Sequence, residues 1–206
     1  MSFEIVVNRY LVYFLILCAS FTVSAAGDYR AGQTKSAVCA ACHGAKGVSV
    51  NSEWPSLAGQ HASYLAKQLE NFKNAQGRNP GVMDAIVAGL SAQDIEDLAA
   101  FYARQASPEG TTPQKYLLRG QLLYRGGDFE KHITACIACH GPKGTGNEQA
   151  GFPVLSGQQA NYTLLQLQQF QGHQRHNDLN SIMQDISSRM DANDMEAVAH
   201  YVAGLH

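Results

Sequence analysis

The pentapeptide Cys39-Ala40-Ala41-Cys42-His43 returns as Cys136-Ile137-Ala138-Cys139-His140. Two thiols one helical turn apart, followed at once by an imidazole, match the needs of a c-type haem. Each sulfur can add to one vinyl group while the histidine reaches the iron. Two other chemistries use part of the pattern. Zinc takes C-x-x-C pairs and histidines, but paired zinc motifs usually lie a dozen or two residues apart and need no histidine at the fifth position. A redox dithiol of the thioredoxin kind also leaves that histidine without a role. The doubled motif therefore predicts two covalently bound haem c groups, held by Cys39 and Cys42 and by Cys136 and Cys139.

His43 and His140 would then supply one axial iron ligand each. The opposite ligand must come from later in each half, and Met83 and Met183 stand 40 and 43 residues beyond the two histidines, in loops containing Asn or Gly. Methionine is more often a core gap-filler, yet these two occupy corresponding places in a repeat. Met190 faces Leu90 in that repeat, which assigns it to the core, and His61, His173 and His176 have no histidine counterpart. A thioether favours reduced iron, raises the potential and closes the coordination sphere, which points to electron transfer rather than catalysis. The carbonyls of Pro55 and Pro153 are placed to accept the Nδ1 proton of the two histidines and fix their rings. Trp54, in the place filled by Phe152, would pack on the ring with Tyr64 and Tyr162 nearby. Arg78 and His176 could reach the propionates or neighbouring backbone.

The elements that position these residues are themselves written twice. Pro55-Ser56-Leu57-Ala58-Gly59-Gln60 is echoed by Pro153-Val154-Leu155-Ser156-Gly157-Gln158, and Tyr64, Leu69 and Phe72 by Tyr162, Leu167 and Phe170, at an offset close to 98. Each half reads as three or four helices joined by long loops. Leu65, Leu69 and Phe72 give one amphipathic face; Ile95, Leu98, Ala99 and Tyr102 give another, repeated by Met195, Val198, Ala199 and Val202. Ser91 and Asp191, each followed three residues later by Asp, mark the starts of the terminal helices. The reading is an all-α chain of two domains, 27–106 and 115–206, joined by a linker at 107–114 with two prolines and no apolar periodicity. Each domain is too small and loop-rich for a self-sufficient core, so a haem must act as its central apolar residue.

An apolar run from Leu11 to Phe21 ends in Ser24-Ala25-Ala26, which reads as an export signal over residues 1–26, cleaved after Ala26. An uncleaved anchor is the alternative, because Glu4 beside Arg9 leaves the leading segment weakly basic. Lipid attachment at Cys18 is disfavoured by the large Leu17 before it. Cleavage would leave four cysteines, all within the two motifs, and so no disulfide framework. Haem attachment of this kind agrees with the periplasm. The formal net charge is -2 and no basic run appears, which argues against a nucleic-acid partner.

With these motifs the chain resembles the dihaem cytochrome c4 family over essentially all of residues 27–206, including Leu123-Tyr124-Arg125-Gly126-Gly127 ahead of the second haem. The resemblance implies two class I cytochrome c folds about a pseudo-twofold axis, with haem edges facing each other. It also implies a periplasmic carrier without a substrate of its own, often peripherally membrane-associated. Its electrons would pass from the bc1 level of a respiratory chain to a terminal oxidase such as the cbb3 type. Phe152 for the tryptophan and the weakly basic leader are the departures. A competing reading is a cytochrome of sulfur-compound oxidation, either partner to a flavoprotein or a thiosulfate dehydrogenase. The latter uses a cysteine as distal ligand, and residues 27–206 hold no spare cysteine. A dihaem peroxidase would need an open iron, against two matched methionines.

Overall fold

The structure is a computed structural model that describes residues 26–78 and 81–206. Cys18 and the expected export signal up to Ser24-Ala25 lie outside the described residues, as does Asn79. The first half runs through α1 (Tyr29–Lys35), α2 (Ala37–His43), α3 (Ala62–Lys73), α4 (Val82–Val87) and α5 (Ala92–Ala103). The second repeats the order with α6 (Gln114–Gly126), α7 (Ile137–His140), α8 (Ala160–Gln171), α9 (Ile182–Ser188) and α10 (Ala192–Ala203), with one 3-10 turn at Leu179–Ser181 before α9. Among the described residues, β-type pairing is confined to two isolated bridges, Asp128 with Ile133 and Asn147 with Phe152. The chain is all-α.

The terminal helices begin where their caps dictate. Ser91 accepts a hydrogen bond from the Asp94 amide while the Asp94 carboxylate takes the Ser91 amide, and Asp191 and Asp194 repeat the exchange. Their apolar faces are buried as the periodicity requires: Ile95, Leu98, Ala99 and Tyr102 on α5, and Met195, Val198, Ala199 and Val202 on α10. Each half builds its own hydrophobic cluster around that helix, one with Leu65, Ala66 and Phe101, the other with Leu123, Tyr124, Ile133 and Leu167.

Among the described residues each half contains five α-helices rather than three or four, because the additional helices are short and weakly periodic. The first and last helices of each half cross in near contact. At Gly32 an added Cβ would lie 1.9 Å from the Asp97 carbonyl oxygen, and at Gly120 one would lie 2.5 Å from that of Ala197 and 2.5 Å from Tyr201 Cβ. Only glycine admits that approach. Gly32 and Gly120 are 88 positions apart whereas the haem-motif cysteines are 97 apart, so the second half carries nine extra residues between its first helix and its motif. That insertion holds the Asp128–Ile133 bridge, and its Lys131 joins Arg119 in ion pairs to buried Asp194.

Candidate haem-binding site

A continuous cavity of about 660 Å³ lies between the two clusters and is shared by both halves. Cys39, Cys42, His43 and Met83 line it from one side of the repeat, and Cys136, Cys139, His140 and Met183 from the other. Helix α2 carries the first motif, and α7 with its N-cap Cys136 carries the second, so a single turn brings both sulfurs and the imidazole to the cavity. All four thiols are free. Burial pushes the Cys39 thiol up and that of Cys136 up to about 11, so both are protonated near neutrality. Dithiol exchange needs the thiolate, and among the described residues no three His, Cys, Asp or Glu side chains converge to hold a zinc ion. Neutral thiols at the edge of a large apolar cavity fit thioether attachment of a haem.

His43 Nδ1 lies 2.9 Å from the Pro55 carbonyl oxygen, and His140 Nδ1 lies 2.9 Å from that of Pro153. A carbonyl can only accept, so Nδ1 carries the proton and Nε2 keeps its lone pair. Burial lowers the pKa of both imidazoles more than the carbonyl raises it, which keeps the rings neutral. Met83 and Met183 are each the second residue of a short helix, α4 and α9, rather than loop residues. Acidic caps make the difference: Asp84 takes the Gly81 amide, and Asp178 takes the amides of Met183 and Gln184. Met190 is buried in the second cluster and Leu90 packs on the first. His61, His173 and His176 do not line the cavity.

Trp54 and Phe152 both border the cavity, with Tyr64 and Tyr162; the Phe152 ring is 6.1 Å from that of His140. Arg78 lies 4.5 Å over the Phe72 ring, and its structural counterpart is Arg175, 4.5 Å over Phe170, instead of the expected His176. His176 is exposed, with Nδ1 against the His173 carbonyl. The expectation slipped by one residue because it aligned the two segments on Asn79 and Asn177. Arg175 is 5% exposed, yet its partners are neutral: Tyr64 Oη at 2.7 Å, Gln166 Oε1 at 2.9 Å, and the amide oxygens of Gln68 and Asn177. Burial raises the Tyr162 pKa, but Arg78 and Arg175 together carry it below the ordinary phenol value. Asp178 acts on Arg175 only from beyond ion-pair distance, so a buried guanidinium hydrogen-bonded to neutral groups has room for an anion, and haem propionates would supply one.

The halves also grip each other. The Gln60 side chain donates to the Val154 carbonyl and accepts from the Val154 amide, both at 2.9 Å, and Gln158 does the same at Ser56, also at 2.9 Å twice. Tyr162 N donates to Ser52 O, and Gln159 Nε2 to Ser49 O. Among the expected site residues, the structure thus gathers all eight cysteine, histidine and methionine side chains on one cavity. Gln60, Gln158 and Arg175 were missed as site residues. The two glutamines were visible only as repeated letters.

Two copies of one helix order, each bringing a C-x-x-C-H turn and a methionine to a shared apolar cavity, define a tandem c-type cytochrome. The family model for cytochrome c matches residues 29–104 and again 119–206. The chain is 40% identical to cytochrome c4 of Stutzerimonas stutzeri, over 97% of its own length and 100% of that protein's. It is 36% identical to a thiosulfate dehydrogenase electron acceptor of Stutzerimonas stutzeri strain A1501, over 81% of this chain and 78% of the other. The crystal structure of reduced recombinant cytochrome c4 from Pseudomonas stutzeri superposes with a TM-score of 0.83 at 41% identity, covering 88% of this chain and 100% of that one. The chain belongs to the dihaem cytochrome c4 family. It is an electron-transfer protein that binds two haem c groups covalently and works with redox partners.

Proposed function

We propose that His43 with Met83 and His140 with Met183 are the axial pairs of the two haems, in domains 27–106 and 115–206 joined by a linker at 107–114. Haem so ligated supplies a one-electron iron couple with no vacant coordination position. The chain's own residues set its conditions. Burial holds the imidazoles neutral, the Pro55 and Pro153 carbonyls orient them, Met83 and Met183 present soft sulfur, and the cavity walls are mostly apolar. Arg175 and Arg78, with Tyr64 and Tyr162, neutralise propionates where the halves meet. The observation that carries the reading is the matched pair of His, Pro and Met sets on one cavity, which suits a relay between adjacent closed sites.

The carrier works in the periplasm after export, taking electrons at the bc1 level and passing them to a terminal oxidase, with peripheral association at the membrane surface. No described helix is long and apolar enough to cross a membrane. Stopped-flow mixing is the test. Membranes rich in quinol-oxidising complex should reduce the holoprotein, and oxidase-rich membranes should reoxidise it, faster than steady-state respiration. Absence of exchange with both would overturn this route. A second reading rests on the 36% identity to a thiosulfate dehydrogenase electron acceptor: the same two sites would receive electrons from a sulfur-oxidising enzyme. Rapid reduction by thiosulfate plus a thiosulfate dehydrogenase, with none by the quinol-oxidising complex, would establish that reading in place of the first.

A further inference from the structure

The glutamine exchange between the halves ends on two particular peptide groups. The carbonyl of the Pro55–Ser56 peptide accepts the His43 Nδ1 proton at 2.9 Å, and the N–H of the same peptide donates to Gln158 Oε1 at 2.9 Å. In the other half, the Pro153–Val154 peptide accepts from His140 Nδ1 and donates to Gln60 Oε1, again at 2.9 Å each. Each glutamine Nε2 closes the ring by donating to the carbonyl of the residue it grips. The amide orientations are fixed by their surroundings. Each Oε1 also accepts the next residue's own amide, from His61 at 3.0 Å and from Gln159 at 2.9 Å, so a flipped side chain would set NH2 against two N–H donors.

We infer that Gln158 and Gln60 are positioning residues acting in trans, each tuning the proximal histidine, and hence the haem potential, of the opposite domain. Hydrogen bonds in a chain polarise one another. When Oε1 draws on the peptide N–H, electron density moves to the carbonyl oxygen, which then pulls harder on the histidine Nδ1 proton. The imidazole becomes a more basic ligand, as it does with any stronger partner at that nitrogen, and a more basic ligand favours the oxidised iron. Gln158 therefore lowers the potential of the N-terminal haem, and Gln60 that of the C-terminal haem. Gln60 is 7% exposed, so water cannot readily take its place. The arrangement makes the docked pair of domains, not either domain alone, the unit that sets both potentials.

The inference rests on His43 and His140 as axial ligands. Its test is a redox titration of holoprotein carrying Gln158→Met or Gln60→Met, with each haem followed by its own hyperfine-shifted methyl resonances. Gln158→Met should raise the reduction equilibrium constant of the N-terminal haem about threefold, which at ~59 mV per decade is ~30 mV. The C-terminal haem should stay put. Gln60→Met should give the mirror image. In the reduced state the His43 Nδ1 proton resonance should move upfield in Gln158→Met while that of His140 does not. A shift confined to the variant's own domain, an equal shift of both haems, or no shift would each overturn the bridge. The far-red Met–Fe(III) absorption band separates the two ideas: no shift with the band intact overturns the bridge alone, whereas wild type lacking the band overturns the methionine ligands of the proposed function while the shifts still decide the bridge. Where a variant does not fold, scalar coupling across the hydrogen bond from the Ser56 amide nitrogen to the Gln158 side-chain carbonyl carbon in wild type decides, and its absence overturns the bridge.

Discussion

The chemistry of each site is set by which lone pairs face the cavity. Protonated Nδ1 on a prolyl carbonyl leaves Nε2 of His43 and His140 for iron, and the thioethers of Met83 and Met183 line the same cavity. Met83→Ala and Met183→Ala should each remove half of the far-red band that marks Met–Fe(III) ligation, and the double variant all of it. An undiminished band in either single variant would remove that methionine from the iron. The Cys, His and Pro positions were legible in the sequence because covalent attachment demands fixed adjacency and the loop that follows is repeated nearly letter for letter. Arg175 was not, since the repeat slips by a residue there. Only the shared position over Phe72 and Phe170 identifies Arg78 and Arg175 as a pair. Gln60 and Gln158 were legible as letters but not as partners, because a repeat shows what is equivalent and not what touches across it.

At the scale of elements, the frame is the crossing of first and last helices in each half. The pairing of α1 with α6 escaped the sequence because nine extra residues in the second half break the common offset there, and because α1 is too short to show a period. The structure restores it through Gly32 and Gly120, whose missing side chains let backbone meet backbone. Gly120→Ala would press a methyl group to within 2.5 Å of both the Ala197 carbonyl and Tyr201 Cβ. Neither neighbour is the far end of a flexible chain, so the helices must part, at a cost of about 1–3 kcal/mol. Thermal unfolding of the holoprotein should record that loss, whereas Leu118→Ser on the exposed face of the same helix should stay within about 0.5 kcal/mol of wild type. Equal midpoints for Gly120→Ala and wild type would show that the crossing is not tight. The short helices α4 and α9 teach a related lesson: a carboxylate cap sets the methionine-bearing turn where the apolar pattern alone predicts loop.

Across the whole molecule, two small hydrophobic clusters face a common cavity of about 660 Å³. Without a filling group the apolar side chains that line it would face water, a loss of burial that cores of this size cannot readily sustain. Water cannot rescue the walls, because they are mostly apolar side chains with few groups to bond it. Haem bound there would therefore serve as the central core of both domains. Changing Cys39, Cys42, Cys136 and Cys139 to Ala, and isolating the chain free of haem, should consequently abolish most helical circular dichroism in both halves together, not in one. A haem-free chain with full helix content and cooperative melting would overturn this account. Retention of helix in one half only would show that the cavity is two separate cores and not a common one.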